Sequence, residues 1–202
     1  MPLEPPSTPF ASGAPYWYWL GGRPALDFVN TRRERWRANI ECLRSPADLA
    51  EWLRQAGLLV PPVLVTRARL AAALELREAI DAGVRAAVAG TPPAPGALAI
   101  VDGWLGAPAV RPALVVGADG LPRLEEHAAE DPLASALGAI ALDAARMLAH
   151  PPERERIRIC GSDTCEARFY DRSPAARRRW CSMALCGNVA KARRHRARTL
   201  GA

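Results

Sequence analysis

Four cysteines near the C-terminus carry the clearest chemistry in the sequence. They form two C-x4-C pairs separated by fifteen residues: Cys160, Cys165, Cys181 and Cys186. Four thiolates are the number that a closed, tetrahedral structural zinc site takes, whereas a catalytic zinc keeps one position open. We therefore predict one structural zinc ion, held by all four side chains.

Two other roles for these cysteines stay open at this point. Buried free thiols or a redox pair would need no metal, and thiolates that bind zinc are also the ones that oxidise, which leaves room for a thiol sensor. A reducing cytosol favours metal binding over disulfides. Cys42 stands apart from the cluster. His195 lies in an arginine-rich segment, and we expect it to be solvated or to face phosphate, because four cysteines already fill the site.

The order of the two pairs predicts how they are presented. The first pair lies in residues 158–165, which we expect to form a knuckle between short strands. The second pair opens a run with helical character, residues 182–198. A knuckle and a helix N-terminus that share one metal resemble a treble clef, and a helix N-terminus lowers the pKa of a nearby cysteine.

The positive charge is concentrated beside this cluster. Residues 1–150 carry 14 basic and 16 acidic side chains, while residues 151–202 carry 13 and 5, and residues 177–202 contain no acid at all. Such segregation predicts a surface that binds a polyanion. The alternative is a solvated face in a protein whose basic residues are nearly all arginine.

The spacing of the basic residues favours DNA as the polyanion. On one helix, Lys191, Arg194 and Arg198 share a face that could follow a phosphate backbone, and Asn188 could reach a base edge. The predicted nucleic-acid-binding residues are Arg177, Arg178, Arg179, Asn188, Lys191, Arg193, Arg194 and Arg198. We expect Trp180 and Phe169 to pack around the metal as a small apolar core rather than to stack on bases.

Capping and turn signals predict the elements that precede the zinc module. Ser45-Pro46 opens a helix over 47–55, Thr66 opens one over 66–89, and a shorter helix covers 94–105. Asp131-Pro132 opens the last helix, with Leu133, Leu137, Ile140, Leu142, Met147 and Leu148 facing inward. Gly117 to Gly120 joins two short strands as a hairpin. The fold class is α+β: a predominantly helical N-terminal domain (1–150) and a small four-cysteine zinc finger (151–202), with the boundary at His150-Pro151-Pro152.

The N-terminal domain offers polar residues but no catalytic constellation. Asp27, Asn30, Arg77 and Glu78 lie within apolar motifs, and a structural ion pair of Asp27 or Glu78 with Arg77 is the simpler interpretation. A pocket for a small-molecule effector is the other, with walls drawn from Trp17, Trp19, Trp36 and Trp52. We predict that the chain is not an enzyme.

The cellular location of the protein is predicted from the absence of secretory-signal and membrane-anchor features in its hydrophobic segments. The first twenty residues contain no Lys or Arg and no aliphatic core followed by a cleavage site, so we expect no secretory signal and a cytoplasmic protein. The longest apolar stretch, 133–149, is interrupted by Asp143 and Arg146, and we expect no membrane anchor.

The segment 177–188, RRRWCSMALCGN, preceded by Cys160, Cys165, Phe169 and residues 171–173, resembles the CGNR zinc-finger family. Gly21-Gly22, residues 26–31 (LDFVNT) and 76–80 (LREAI) resemble motifs of its usual companion, the ABATE domain of stress-induced transcription regulators. The resemblance implies four zinc-ligating cysteines, DNA binding, transcriptional regulation and a stress response. Val189 stands where the family motif has its arginine.

These observations lead to one overall hypothesis. The chain is a cytoplasmic transcriptional regulator whose N-terminal domain senses an effector or forms a homodimer, and whose zinc finger binds DNA. The rivals are a zinc-stapled protein-interaction or thiol-sensing module, and a small-molecule-binding or enzymatic N-terminal domain with an accessory zinc lobe.

Overall fold

A computed structural model of the chain describes residues 17–59, 63–107, 111–127 and 129–200. The helices are α1 Pro24–Val29, α2 Pro46–Gln55, α3 Arg67–Ala89, α4 Pro95–Leu105, α5 Pro132–Ala149, α6 Pro151–Arg154 and α7 Asn188–Leu200, with a π-helical turn at Met183–Gly187 directly before α7. The strands are β1 Arg32–Arg33, β2 Ile40–Glu41, β3 Arg111–Val116, β4 Pro122–His127, β5 Ile157–Ile159 and β6 Arg168–Tyr170. The predicted fold class, a mainly helical N-terminal region followed by a four-cysteine module, is confirmed.

The long helices begin and end where their capping residues predict. Ser45 accepts a hydrogen bond from the backbone N–H of Asp48, whose carboxylate in turn accepts from the N–H of Ser45, which completes a capping box at α2. Thr66 caps α3 through the N–H of Arg69, and Asp131 caps α5. Gly90 ends α3 in the left-handed conformation (φ 67°), which a residue without a Cβ adopts at little cost.

The main core lies between α1, α2, α3 and α5. Its largest fully buried side chain is Trp52, which stacks on Trp19 with ring centroids 5.5 Å apart and contacts Phe28 at 5.2 Å. The inward prediction for α5 is right for most of its leucines and isoleucines but wrong for Leu142, which is 40% exposed. Leu142 lies two residues after Ile140, on the side of the helix away from the core.

The strands form three separate antiparallel pairs: β1–β2, β3–β4 and β5–β6. The predicted hairpin is β3–β4, and Gly120 takes the positive φ (77°) that its Asp-Gly turn requires. Pro151 and Pro152 end α5 and open the short α6. Ile157, three residues beyond α6, is buried in the main core, so the chain on both sides of the predicted boundary packs together. The division at residue 150 remains a prediction.

Among the described helices, α5 is long and apolar enough to span a membrane by length and composition alone. Core helices pass the same test. Eight of its residues are buried against the rest of the protein, and its Asp143 carboxylate forms an ion pair with Arg23 at 2.7 Å. These contacts identify α5 as a helix of the protein core.

Candidate metal centre and nucleic-acid interface

Four loop and helix segments bring the cysteines together. Cys160 follows β5 directly, and Cys165 closes the knuckle that leads into β6. The knuckle is held by the N–H of Cys160, which donates to the carbonyl of Ala167 at 2.9 Å. Cys181 precedes the π-helical turn, and Cys186 lies within it. The predicted knuckle and helix N-terminus therefore meet at one point.

The four sulfur atoms all lie within 4.8 Å of one another, with Sγ–Sγ distances of 3.6 Å for Cys165–Cys181 and 3.7 Å for Cys181–Cys186. Zinc–sulfur bonds of about 2.3 Å at tetrahedral angles place sulfurs about 3.8 Å apart. Cys160 and Cys181 are buried, and the other two are half-buried. The donor set and its spacing thus fit one zinc ion, which would supply structural crosslinking of the lobe.

The thiols perturb one another strongly because they are so close. The pKa of the Cys181 thiol is raised far above its ordinary value, first by its contact with Cys160 and then by the other two sulfurs and by burial, while the pKa of Cys160 is lowered. Four thiolates cannot share this space without a compensating cation. The isolated Cys42 behaves differently, since burial, with a smaller contribution from Glu41, raises its pKa to about 11.

A small apolar core surrounds the sulfurs, as predicted. Phe169 is 1% exposed and packs with Ala167, Cys160 and Cys181, and Trp180 packs against the same cluster. The Arg179 guanidinium lies 5.2 Å from the centroid of the Trp180 ring. In so small a lobe these contacts add apolar burial to the stabilisation that a metal provides.

The loop between β6 and Cys181 is organised by one buried carboxylate. Asp171 accepts hydrogen bonds from Ser173 Oγ at 2.7 Å, the Ser173 N–H at 2.9 Å and the Arg178 N–H at 2.7 Å. Burial alone would raise the pKa of Asp171, but these hydrogen bonds outweigh it and lower the pKa. The Arg178 side chain donates to the Cys181 carbonyl at 2.7 Å and lies over Phe169. The structure therefore gives Arg178 a supporting contact beside the metal, whereas Arg177 and Arg179 are exposed.

The basic helix α7 begins two residues after the last metal ligand. Ser182 caps the preceding π-helical turn by accepting from the N–H of Leu185 at 3.3 Å. Lys191 and Arg196 are exposed, and so is Asn188, whose amide donates to the Ala184 carbonyl. Arg193 is exposed and paired with Asp163 of the knuckle. The side chains of Arg194, His195 and Arg198 lie outside the described part of the chain.

The zinc lobe is joined to the N-terminal helices by buried polar contacts. The Asn30 amide donates from Nδ2 to the Arg168 carbonyl at 2.9 Å and accepts from the Arg168 N–H at 2.8 Å. The Arg168 side chain donates from Nε to Asp81 of α3 at 2.8 Å, and both side chains are 4% exposed. The Tyr170 N–H donates to the Gly21 carbonyl at 2.8 Å. Strand β6 is thus joined by hydrogen bonds to the end of α1, to α3 and to the segment before α1.

Comparison with known families distinguishes the two parts of this arrangement. The ABATE family model, described as "Putative stress-induced transcription regulator", matches residues 22–151, which is more than half of the chain. The chain belongs to the ABATE family. A model of the CGNR zinc finger matches residues 156–199 and includes all four cysteines. No curated protein matches the chain.

In the ABATE domain, the polar residues Arg77 and Glu78 form ion pairs, the simpler of the two predicted roles. Arg77 is buried in α3 and binds Glu41 through two contacts of 2.7 and 2.6 Å, with a further contact to Glu78 at 2.9 Å. The Glu78 carboxylate also pairs with Arg35 at 2.5 Å. Although burial opposes it, the Arg35 and Arg77 guanidinium groups lower the pKa of Glu78 to about 2. The predicted Arg77–Glu78 pair is confirmed, and its main partner is Glu41, which the sequence did not indicate.

Asp27 does not pair with Arg77. Its Oδ1 accepts from the Gly21 N–H at 2.7 Å, and burial raises its pKa to about 7 against the effect of this hydrogen bond. A Cβ on Gly21 would lie 2.7 Å from the Asp27 nitrogen, so this close turn requires glycine. Asp27 therefore shapes the same backbone segment that receives the Tyr170 N–H from the zinc lobe.

Asn30, Asp81 and Arg168 are the residues whose joint role sequence reasoning missed. Asn30 stands out as a polar residue in an apolar motif, but nothing local points to residue 168, which is 138 positions away. Arg168 had one usable signal, because it is a charged residue between Ala167 and Phe169 in a strand that leads away from a metal ligand. A charge at such a place indicates a buried partner.

Proposed function

We propose that the chain is a transcriptional regulator that binds DNA through the basic helix of its zinc finger. The observation that carries the proposal is the position of α7: it starts two residues beyond Cys186, and residues 177–202 contain no acidic side chain. A metal bound by the four cysteines would fix the first turn of this helix in place. The exposed side chains of Lys191 and Arg196 would then meet phosphate from a defined direction.

Several surrounding groups support the same surface. Arg177 and Arg179 are exposed next to Cys181, and Arg193, paired with Asp163 of the knuckle, lines the same pocket as Arg179. A pocket of about 250 Å³ lies between the knuckle and α7, and Arg179, Trp180, Val189 and Arg193 line it. Val189, at the position of the family arginine, is 43% exposed there. Phosphate contact from Arg194 and Arg198 stays a prediction.

Fluorescence anisotropy of a random duplex with zinc-loaded protein across a salt series tests the proposal. We expect affinity to fall steeply with salt, and Lys191→Ala to lower the slope of log K against log salt by about one. The matched control is Arg123→Ala, because Arg123 is an exposed arginine on the β3–β4 hairpin and should leave both affinity and slope unchanged.

The opposite result separates the rival functions. A protein with about one zinc per chain that binds no duplex at low salt would contradict DNA binding and favour the protein-interaction or thiol-sensing module. Two of the proposed ligands, Cys165 and Cys186, are only partly buried and therefore accessible to a small oxidant. Loss of zinc on mild peroxide treatment, with reversal by a thiol reductant, would distinguish the sensor from a passive interaction module.

We also propose a ligand site for an apolar effector in the ABATE domain. A groove of about 820 Å³ runs between α3, α4 and α5, and its walls are mostly apolar: Ala86, Ala87, Leu98, Val101, Leu105 and Leu148. Pockets for small molecules have this size and lining. An apolar fluorescent probe such as anilinonaphthalene sulfonate should bind there, and Ala86→Trp should abolish binding. Unchanged probe binding by that variant would contradict the site.

The remaining parts of the proposal are location, stress response and the absence of catalysis. The family description supports a regulator that responds to stress, and we propose that it acts in the cytoplasm by binding alone. Fractionation of cells and reporter expression under stress test the first two. An activity found in purified protein and lost on substitution of one side chain would contradict the last.

A further inference from the structure

The β3–β4 hairpin carries an apolar face that the rest of the described chain leaves uncovered. In its register Leu114 lies opposite Leu124 and Val116 lies opposite Pro122, so these side chains share one face. Leu114 is 76% exposed, Val116 77% and Leu124 72%, and Pro122 is exposed beside them. The face is therefore a continuous apolar patch at the surface.

Physical chemistry argues against this face remaining in water. A lone two-stranded hairpin is marginally stable at best and needs a further strand or a packed face for support. Described elements other than β3 and β4 do not pair with either strand, so each strand also presents a free edge. Large contiguous apolar patches on protein surfaces mark interaction sites.

We propose that this face packs against the same face of a second copy of the chain, forming a symmetric dimer. In a twofold interface, each copy offers the same patch, so a flat apolar face automatically meets an apolar face. The charged side chains Arg123 and Glu125 alternate with the leucines and point to the opposite face of the hairpin. Leu114, Val116, Pro122 and Leu124 thus form an uncharged stretch of this face.

The area fits a weak dimer. From their exposed fractions, Leu114, Val116 and Leu124 would remove roughly 400 Å² per copy, or about 800 Å² for the pair, and the exposed Pro122 adds to this, which brings the contact close to the roughly 1,000 Å² at which specific interfaces begin. An interface at this lower limit predicts a dimer with micromolar affinity rather than an obligate one. Pairing of the free strand edges would add backbone hydrogen bonds to the same contact.

The dimer would extend the proposed DNA-binding function, but the experiment that tests the dimer does not depend on DNA binding. A twofold axis through the hairpins would present two copies of α7, and regulators with two recognition helices read two half-sites. Because mass is measured in the absence of DNA, a monomer would contradict the dimer alone. A dimer that ignores DNA would contradict the DNA-binding proposal alone.

Sedimentation equilibrium from low to high micromolar concentration, with zinc-loaded full-length protein, tests the interface. We expect wild type to approach twice the chain mass and Leu114→Glu to weaken association by at least about a hundredfold, since each copy would bury an unpaired carboxylate in an apolar interface. The matched control is Leu64→Glu, because Leu64 is 90% exposed and lies outside the hairpin. It should associate as wild type does.

A second, milder variant distinguishes loss of apolar surface from unfolding of the hairpin. Val116→Thr combined with Leu124→Thr keeps the β-branched or strand-compatible character while removing apolar surface, and it too should weaken association. Circular dichroism should show unchanged helix content for all variants. A wild type that stays monomeric at high concentration, or hairpin variants that associate as tightly as wild type, would overturn the proposal.

Discussion

The side-chain amide of Asn30 hydrogen-bonds to the backbone of Arg168 as a neighbouring strand would, donating to its carbonyl at 2.9 Å and accepting from its N–H at 2.8 Å. Both residues are buried. One side chain at the end of α1 thereby satisfies both polar groups of a residue in β6, and β6 leads directly from the metal ligands. The ABATE domain and the zinc finger are therefore joined by buried hydrogen bonds between the Asn30 side chain and the Arg168 backbone.

Replacing Asn30 should consequently destabilise the whole protein. Asn30→Ala leaves the Arg168 N–H and carbonyl buried without their partner, and each unsatisfied group costs about 1–3 kcal/mol. We expect the free energy of unfolding to fall by about 2–4 kcal/mol in urea titration.

Two further variants make this test specific. Asn30→Asp keeps the acceptor but loses the donor and buries a carboxylate beside the Arg168 carbonyl, so it should destabilise the protein at least as much as Asn30→Ala. Asn188→Ala removes an exposed asparagine that donates to the Ala184 carbonyl at 3.3 Å, and it should cost less than about 0.5 kcal/mol. Equal losses for Asn30→Ala and Asn188→Ala would contradict the structural role.

Loss of the metal should also destabilise the helical N-terminal part of the chain. Cys181→Ser removes a buried ligand from the centre of the cluster, and we expect zinc content measured by atomic absorption to fall from about one per chain to near zero. Because β6 is bonded to Asn30 and Asp81, thermal unfolding of the helical part should also shift to lower temperature.

Cys42→Ser is the matched control for the metal, since Cys42 lies outside the cluster. It should keep full zinc stoichiometry, even if its burial in the main core makes it somewhat less stable. If Cys181→Ser retained one zinc per chain, the ligand assignment would be wrong.

Asp27 predicts a pH dependence of stability with a definite sign. Its pKa is raised to about 7 from an ordinary value of 3.8, so the folded state binds the proton more tightly than the unfolded state does. Stability should therefore fall as pH rises from about 4 to 7 and level off above that range. Asp27 is only half-buried, so the effect should be on the order of 2 kcal/mol.

Asp27→Asn isolates this contribution because an amide keeps the acceptor for the Gly21 N–H but carries no titratable proton. Urea titrations at pH 5 and pH 8 should show the difference between variant and wild type shifting in favour of the variant at pH 8. A difference independent of pH would show that Asp27 has an ordinary pKa in the folded protein.

The Asp163–Arg193 pair predicts a gain of DNA affinity on removal of an acid. Asp163 holds an exposed guanidinium at the proposed phosphate-binding surface and adds a negative charge there. Asp163→Asn should tighten binding to random duplex by about two- to tenfold at low salt, and less at high salt because the ions screen it. Asp119→Asn, on the distant hairpin, should have no effect.

The elements of this fold could be predicted because their signals are local. Ser45, Thr66 and Asp131 accept hydrogen bonds from N–H groups three residues away, and Gly90 and Gly120 take the positive φ that glycine adopts at the least cost. The four cysteines could be assigned to one site for a similar reason, since paired spacing of thiols restricts their chemistry to a few choices.

Tertiary structure alone decided which polar residues meet. Arg77 bonds to Glu41, 36 residues away, and Asn30 to Arg168, 138 residues away, and no sequence spacing encodes such partners. It also decided that Leu142 and the leucines of β3–β4 face outward, although their apolar character predicts burial. Periodicity gives a residue's side of a helix or strand, but burial depends on whether another element lies on that side.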